Sequence, residues 1–584
     1  MNTVLIVLVL VGFGAPWTWL LYRRSSDRTL EGLLDCVCLG YAISFALLFV
    51  TAQLQLWLFL PVWAVGVLLC LVDAFRRRRE PAAPRVSLRP KIGPEGWILL
   101  GSSVIYLVFR CLPFIVRRLP IGWDAYFHMT ISESILARGR AVHDWMPYEN
   151  MPLNYPIGSH LLLALTQWIS GARPHQFFEL MVVLFTLLSG LQLFSLGSRA
   201  TNDRQVGCYA ALTYLFLGNL GSLHYAIWSG LPNLIGMYLF LGLLSALTVD
   251  EPSRARAIGV FAVYFLAACF VHHHVMVTAG LCLGWTAAVL LVLGDRERAK
   301  RIITGLVASA LIGSPYFLMY VLRTVGLRNT GIGEYMENMA DAWSIAQDVG
   351  LGFAAAVLAG VFLYFRNREQ VSQMVVQPLV AMLALYVLVE FMFRTASIVL
   401  FEHEMSPFTP SRWITDAVTL LSIFAGIFFR TMQGTRQTNR YAIAAIIVTG
   451  FFVFNRATYR DTFRQEVGRD RRATYEWIRT HVDANAVLID PDLHATYLTR
   501  RMSSSFPLPT SEYSALATNH ILLEDIAAGR QPPERADRQV LVVVDPGAPA
   551  PPGPVLFEHP SGIRVVETFA APKPVAVSGE TAAQ

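Results

Sequence analysis

Six acidic or histidine side chains interrupt the apolar sequence between Gly122 and Pro156, in the stretch GWDAYFHMTISESILARGRAVHDWMPYENMPLNYP. They are Asp124, His128, Glu133, His143, Asp144 and Glu149. Charges of this kind are too costly to leave in hydrocarbon, so the stretch is predicted to lie at a membrane surface. Asp124 stands among three aromatic residues, which are typical of the membrane–water interface. A carboxylate there can bind a metal, accept a proton or orient a hydroxyl; the other interpretation is a solvated surface charge.

Further candidate side chains occur far along the chain. Arg412 carries a guanidinium, which matches phosphate oxygens bidentately and keeps its charge, although a snorkelling arginine at the interface is the alternative. His403 and Glu404 lie close to Arg412 in sequence, either as acid/base residues or as its ion-pair partners. The three residues His272–His274 are predicted to point about 100° apart on a helix, so they cannot all bind one metal ion without other ligands. A hydrogen bond from His273 to a phosphate or sugar and simple interfacial packing both remain open.

The composition identifies the class of protein. The chain has 584 residues, 54% of them hydrophobic and 15% charged, with a mean hydropathy of +0.47. Apolar runs of about 20 residues recur along most of it, which predicts a polytopic membrane protein. The net charge of +6 does not indicate a nucleic-acid partner, because the arginines form short clusters between apolar runs. The seven cysteines lie in apolar segments, so the polar C-terminal part can build neither a disulfide framework nor a zinc site.

Basic residues in the connections predict the orientation of the helices. The basic or mixed-charge connections are 23–28, 76–91, 198–205, 252–256, 295–301, 366–373 and 430–440. By the positive-inside rule they face the cytoplasm. The length criterion predicts about fourteen membrane helices, near 3–22, 30–51, 54–75, 95–116, 176–198, 206–220, 231–249, 257–271, 275–294, 302–322, 348–365, 374–393, 413–430 and 441–455. The loop 117–175, the other intervening connections and everything after 455 are then external.

Two parts of the chain are not predicted to cross the membrane. The segment Gly158–Ser170 is too short to span and is predicted to be a helix lying along the outer surface. After Asn455 the pattern is that of a soluble α/β domain. Its predicted elements are a helix over Tyr475–Val482, a strand at Ala486–Asp490, a short helix near His494–Arg500, and strands within Gln539–Asp545 and Val555–Phe569. The predicted parts are additional helices over 1–94, a membrane core over 95–456 and an external α/β domain with a disordered tail over 457–584.

Two stretches resemble a known family. WDAYFHMTISESILARG, followed by YPIGSHLLLALTQWISG, is similar to the first external loop of the class C (GT-C) membrane glycosyltransferases, and most similar to that of oligosaccharyltransferase catalytic subunits. SPFTPSRWITDAVTLLSIFAGI is similar to a late helix that this family begins with an arginine–aromatic pair. The resemblance implies a metal site, for Mg or Mn, that includes Asp124, and a donor phosphate held by Arg412. It also implies that Tyr155-Pro156 opens a surface helix, and it makes His128 and Tyr155 candidate substrate contacts.

The resemblance further implies a mobile external loop with a functional glutamate. Glu334 and Glu337, in GIGEYMENMAD, are the two candidates. In two places the sequence departs from the family. The second acidic motif would fall at Ser229–Met237, where Pro232-Asn233 stand, so a metal site there would be short of carboxylates. The Trp-Trp-Asp-Tyr-Gly signature that recognises the acceptor asparagine is missing, so asparagine glycosylation is not indicated.

The function that this resemblance implies is transfer of a sugar or glycan from a polyprenyl-phosphate or polyprenyl-diphosphate donor. The acceptor would be a glycan, lipid or protein on the extracytoplasmic side of a bacterial inner membrane. A metal on Asp124, or Arg412, would stabilise the leaving phosphate; without a metal, Asp124 could be the general base for the acceptor hydroxyl. A transporter or flippase of lipid-linked sugars and a non-catalytic membrane scaffold are the competing hypotheses.

Overall fold

The computed structural model describes most of the chain, which divides into two units. The described residues are 2–79, 90–117, 119–144, 153, 155–223, 225, 230–249, 253–326, 350–367, 371–388, 410–434, 436, 439–463, 467–483, 485–490, 492, 494–503 and 539–569. The first unit comprises Met1–His143, Asn154–Gly326 and Gly333–Arg464. The second comprises Asp144–Leu153, Leu327–Ile332 and Gln465–Gln584.

The first unit is helical. Its helices are α1 Asn2–Gly12, α2 Ala15–Arg24, α3 Leu30–Ala52, α4 Phe59–Arg79, α5 Pro94–Arg117, α6 Trp123–Arg138, α7 Gly158–Ser170, α8 Phe178–Thr201, α9 Arg204–Phe216, α10 Leu231–Thr248, α11 Arg254–Val271, α12 His273–Val292, α13 Arg296–Gly326, α14 Leu351–Asn367, α15 Gln373–Val387, α16 Pro410–Gln433, α17 Asn439–Phe454 and α18 Arg456–Asp461. A π-helical turn at Asn219–Leu223 follows α9.

Ten helical segments among the described residues are long and apolar enough to cross a membrane. They are Thr3–Arg24, Leu30–Ala52, Leu56–Arg76, Pro94–Arg117, Phe178–Thr201, Leu231–Thr248, Arg254–Val271, His273–Val292, Arg296–Met319 and Trp413–Gln433. Three shorter apolar helices, α14, α15 and α17, together with α9, occupy the other positions at which the sequence predicted spans. The predicted polytopic helical fold is confirmed, and the chain is a multi-pass membrane protein.

Ion pairs gather several basic connections at one end of the helices. The pairs are Arg23–Asp73 (3.0 Å), Arg199–Asp27 (2.8 Å), Arg199–Asp35 (2.8 Å), Arg204–Glu31 (2.6 Å), Arg430–Asp203 (3.0 Å) and Arg440–Glu95 (3.3 Å). They join the ends of α2, α4, α8 and α16 to the starts of α3, α5, α9 and α17. Three of the connections that the sequence assigned to one membrane face therefore lie together; we name this the ion-pair end.

The short helices α6 and α7 belong to the opposite end. The backbone N–H of Leu56 donates to Gly139 at 2.7 Å, and that of Ala141 donates to Ala52 at 2.7 Å. These bonds tie the end of α6 to the end of α3, which starts at the ion-pair end. The bounds predicted for α7 are confirmed, and eleven of its thirteen residues are buried. The helix packs against α1, α3 and α6. Its predicted position along the outer surface of the membrane stays a prediction.

The second unit contains the predicted α/β fold. Its elements are α19 Arg469–His481, β1 Val487–Ile489, α20 Ala495–Thr499, β2 Met502–Ser503, β3 Val540–Val544, β4 Val555–Glu558 and β5 Arg564–Phe569. The strand order is β2-β1-β3-β5-β4, with β1 parallel to both of its neighbours and β5 antiparallel to β3 and β4. Tyr475 and Ile478 of α19 pack on Leu488 and Leu541 in the core. The helix begins six residues before the predicted Tyr475, since its first turns are polar and carry no apolar period.

Candidate active site

Asp124 lies in the first turn of α6 and is half-buried. The positive end of the helix dipole stabilises a carboxylate in that position. The connection before α6 is held by Glu179, whose carboxylate lies 3.5 Å from Arg117 and accepts the N–H of Ile121 at 3.4 Å. Arg117 and Glu179 are both buried. A buried ion pair therefore fixes where α6 begins and where its first carboxylate stands.

One turn after Asp124, His128 joins α6 to α7. Its Nδ1 lies 3.0 Å from Nε2 of His160, and both imidazoles are buried. Burial lowers the pKa of His160 to about 3, so its ring is neutral at pH 7. The ring of Tyr155 lies 5.6 Å from that of His128 and 5.5 Å from that of His160. The predicted substrate contacts His128 and Tyr155 thus belong to one aromatic and imidazole cluster.

The same cluster includes the histidines between α11 and α12. His272 is extended (φ −153°, ψ 127°) and separates the two helices. The rings of His272 and His273 are stacked at 4.8 Å with 24° between their planes, and Tyr155 lies 5.9 Å and 5.2 Å from them. The expectation that successive rings point about 100° apart is therefore wrong for this pair. It assumed a continuous helix, and the extended backbone at His272 removes that rotation.

His274 points instead towards α16, where it meets Asp416. Its Nε2 lies 3.0 Å from Asp416 Oδ2 and 3.4 Å from the hydroxyl of Thr278. Asn233 of α10 lies 3.4 Å from the other oxygen of Asp416, and the indole of Trp413 donates to Thr278 at 3.0 Å. Three helices, α10, α12 and α16, therefore meet at one buried carboxylate.

Sequence reasoning missed Asp416. The residue is fully buried, at 0% exposure, within a segment apolar enough to span a membrane. A lone carboxylate inside an apolar run often indicates a functional residue, and this criterion would have identified Asp416 from the sequence. Asn233 stands where the family's second acidic motif was expected. The carboxylate that lies next to Asn233 is that of Asp416, on α16.

Five helices begin at this cluster. Each contributes a polar or aromatic side chain from its first two turns: His128 from α6, His160 from α7, Asn233 from α10, His273 and His274 from α12, and Trp413 and Asp416 from α16. The ring contacts are continuous from His128 through Tyr155 and the histidines to Trp413. Because helix N-termini carry partial positive charge, this arrangement favours a negatively charged group.

The other predicted site residues are only partly described. The backbone of Arg412 lies in the first turn of α16, next to Trp413, but its side chain is outside the described residues. Glu334, Glu337, His403 and Glu404 also lie outside them. The structure brings His128, Tyr155 and His273 together, with Asp124 one turn before His128 and Arg412 one turn before Asp416.

The donor set of the cluster does not fit a bound metal. Within the described parts of the chain, no group of three or more histidine, cysteine, aspartate or glutamate residues could hold one. His128 and His160 face each other through their ring nitrogens, and His274 is turned to Asp416. Asp124 would need further ligands from elsewhere, so no step of the chemistry below is assigned to a metal.

Comparisons with known proteins find similarity at the level of structure. No protein-family model and no curated protein sequence matches this chain. The structure of ArnT from Cupriavidus metallidurans bound to undecaprenyl phosphate superimposes with a TM-score of 0.55, at 13% identity, over 82% of this chain and 99% of that one. The apo oligosaccharyltransferase of Archaeoglobus fulgidus does so with a TM-score of 0.53, at 11% identity, over 78% and 70%. The chain has the GT-C fold.

Both of these GT-C proteins are glycosyltransferases, and the resemblance drawn from two short sequence stretches is confirmed as a likeness of fold. At this level of identity, function must be argued from the site itself. In this structure the His274–Asp416 pair lies beside Asn233.

Proposed function

We propose that this GT-C protein transfers a sugar or glycan from a polyprenyl-phosphate or polyprenyl-diphosphate donor to an acceptor hydroxyl on an extracytoplasmic glycan, lipid or protein. The observation that carries the proposal is the convergence of five helix N-termini on one buried imidazole, aromatic and carboxylate cluster. A lipid-linked donor agrees with the multi-pass fold, and the similar ArnT structure contains undecaprenyl phosphate.

The chemistry requires stabilisation of a leaving phosphate. When the bond between the anomeric carbon and the phosphate oxygen breaks, negative charge grows on the phosphate. The dipoles of α6, α7, α10, α12 and α16 favour an anion here. Arg412, in the first turn of α16, would contribute a full positive charge and a bidentate contact. Asp124 would act on the sugar end, where its carboxylate would orient a hydroxyl group.

The positive-inside rule indicates which side of the membrane the cluster would face. The ion-pair end contains the arginine-rich connections, so it would face the cytoplasm. The cluster lies at the opposite end and would face outward, where polyprenyl carriers, and not nucleotide sugars, supply activated sugar. A bacterial inner membrane is the proposed location.

A binding and release experiment tests the function. Full-length protein in nanodiscs would be incubated with tritiated undecaprenyl phosphate to measure binding. It would then be incubated with a panel of undecaprenyl-phosphate monosaccharides and a heat-treated membrane extract as the source of acceptors, and release of undecaprenyl phosphate would be measured by mass spectrometry. We expect saturable binding, and release from at least one glycoside. Because Asp124 would orient the substrate, Asp124→Asn should lower that release by about 10²-fold or more while the protein stays folded.

Asp295→Asn is the matched control, because it removes a half-exposed carboxylate before α13 that takes no part in the cluster. It should bind and release like the wild type. Binding without release by any form would indicate a scaffold, and movement of an intact glycoside across the bilayer would indicate a flippase. Absence of undecaprenyl phosphate binding would overturn the proposed function.

A further inference from the structure

A buried carboxylate fixes one imidazole of the cluster. Asp416 is 0% exposed and His274 is 3% exposed, with 3.0 Å between Oδ2 and Nε2. A membrane helix rarely retains an ionisable residue unless the residue is paired or functional. A hydrogen bond that only joins α12 to α16 would also explain why Asp416 is present. The other hydrogen-bonding groups around the pair must therefore distinguish a structural role from a catalytic one.

The hydrogen bonds decide which nitrogen of His274 carries the proton. An ionised carboxylate only accepts, so Nε2 carries the hydrogen and donates it to Asp416. The hydroxyl of Thr278 lies 3.4 Å from the same nitrogen and accepts from Trp413. The two hydrogen-bond contacts of the ring with described residues both involve Nε2. Nδ1 is therefore left with a lone pair that can accept a proton.

A second acceptor without a donor lies on the other side of Asp416. The amide nitrogen of Asn233 donates to the phenol oxygen of Tyr225 at 2.7 Å and approaches Asp416 Oδ1 at 3.4 Å. The carbonyl oxygen of the same amide is buried and accepts no hydrogen bond from the described residues. Buried polar atoms are ordinarily hydrogen-bonded. Two acceptors that lack donors beside one carboxylate are complementary to a ligand that brings hydroxyl groups, such as a carbohydrate.

We propose that His274 accepts the proton of the acceptor hydroxyl at Nδ1, with Asp416 as the residue that positions the ring and keeps the other proton on Nε2. This inference rests on the proposed function. The acceptor oxygen bonds to the anomeric carbon of the donor, and the bond from that carbon to the phosphate oxygen breaks. Its electron pair leaves with the polyprenyl phosphate. The hydroxyl proton moves to His274 and is later lost to water. The titratable groups beside the His274 ring include the carboxylate of Asp416 on α16 and the imidazole of His272, whose ring centroid lies 6.2 Å from that of His274.

The tautomer can be measured without any substrate. Full-length protein labelled with ¹⁵N-histidine in nanodiscs would be compared with His274→Gln, which identifies the signals of His274 by their loss. We expect a protonated Nε2 and an unprotonated Nδ1 in the wild type, and a mixture of tautomers in Asp416→Asn, because an amide can donate as well as accept. A wild-type ring with its proton on Nδ1 would overturn the inference.

The kinetic test uses the undecaprenyl-phosphate glycoside and acceptor for which the wild type is active. His274→Gln should lower kcat by about 10²–10⁴-fold while undecaprenyl phosphate binds as in the wild type. The rate–pH profile should also lose its ascending limb, which a purely structural role would not change. Asp416→Asn should lower kcat with the same profile change, and Asp295→Asn should change neither quantity.

The outcomes separate this inference from the proposed function. A wild type that neither binds undecaprenyl phosphate nor releases it refutes the function, while the tautomer measurement still reports on the pair. An active wild type whose His274→Gln variant keeps kcat and the pH profile refutes the inference alone. If His274→Gln does not fold, the nearly isosteric Asp416→Asn supplies the same comparison.

Discussion

At the scale of single residues, the contacts of a side chain determine its chemistry more than its residue type does. Asp124 and Asp416 are both aspartates near the start of a helix, yet one is half-buried and the other fully buried against an imidazole. The histidines differ in the same way. His160 is held neutral by burial and faces His128, whereas His274 has a carboxylate to orient it. The chemistry that each group can perform follows from those contacts.

A pH-dependent residue in the second unit gives a test of its stability. Burial raises the pKa of Asp490 to about 6, against the opposing effect of Arg471, whose guanidinium lies 2.7 Å away. Between about pH 4 and pH 6 the folded unit therefore binds a proton that the unfolded chain does not. The contribution of Asp490 to the free energy of unfolding should rise as pH falls across this window, by about 1.4 kcal/mol per unit.

Hydrogen exchange of β1 and β3 in the full chain, corrected for intrinsic rates, would measure this effect. In Asp490→Asn the group no longer titrates, so protection should lose this dependence on pH. Burial alone would raise the pKa of Asp492, but the hydrogen bond from His494 lowers it. The carboxyl of Asp492 therefore titrates below the pH range in which Asp490 does. Protection that falls as pH is lowered from 6 to 4 in the wild type, with the variant unchanged, would contradict the prediction.

At the scale of elements, close packing positions the helix that carries Asp416. A Cβ on Gly360 of α14 would lie 1.8 Å from the carbonyl oxygen of Phe424 in α16. Real Cβ atoms do not approach backbone so closely, so one of the helices must move. The absence of a side chain at this position is what allows the two helices to pack at their present distance.

Gly360→Ala is therefore expected to destabilise the first unit by about 1–3 kcal/mol. By displacing α16 it should also reduce the release of undecaprenyl phosphate from its glycoside. Tryptophan fluorescence during heating in nanodiscs would measure the change in Tm. Gly259→Ala in α11 is the control, because a Cβ there meets nothing within 4 Å. The control should be neutral or slightly stabilising. Equal Tm values for both variants would show that the packing of α14 on α16 tolerates a methyl group.

At the scale of the whole molecule, the ion-pair end and the aromatic and imidazole cluster lie at opposite ends of the helices. The ion pairs of Arg199, Arg204 and Arg430 belong to the first, and the starts of α6, α7, α10, α12 and α16 belong to the second. A membrane between them would separate the site from the cytoplasm. Because the two ends are separate, one labelling experiment can determine which end faces the cytoplasm.

Single cysteines would test that arrangement in intact cells with a membrane-impermeant maleimide. Arg173→Cys, exposed after α7, should be labelled from outside. Arg436→Cys, exposed between α16 and α17, should be labelled only after permeabilisation. The parent protein measures background, since its seven cysteines lie in apolar segments. The reverse pattern would place the cluster in the cytoplasm and refute an extracytoplasmic transferase.

The sequence by itself determined the class of protein, the positions of the membrane helices and four of the second unit's described strands, β1, β3, β4 and β5; it missed β2, which is only two residues long. Those features depend on the hydrophobicity and periodicity of short segments, which each segment carries independently of the rest. Likewise, the cost of charge in hydrocarbon was enough to select Asp124, His128 and the histidines His272–His274 as candidates. Their membership of one cluster was not readable, because it depends on contacts between distant segments.

Only the tertiary structure decided how the site is assembled. It paired His274 with Asp416, which is 142 positions away in the chain, and set Asn233 beside the same carboxylate. It also stacked the ring of His273 on that of His272 and packed α7 among other helices. Which polar atoms meet depends on how helices pack, and the apolar surfaces that drive packing carry little information about polar partners. The candidate residues were therefore predictable from local sequence, whereas their tautomers, partners and roles were not.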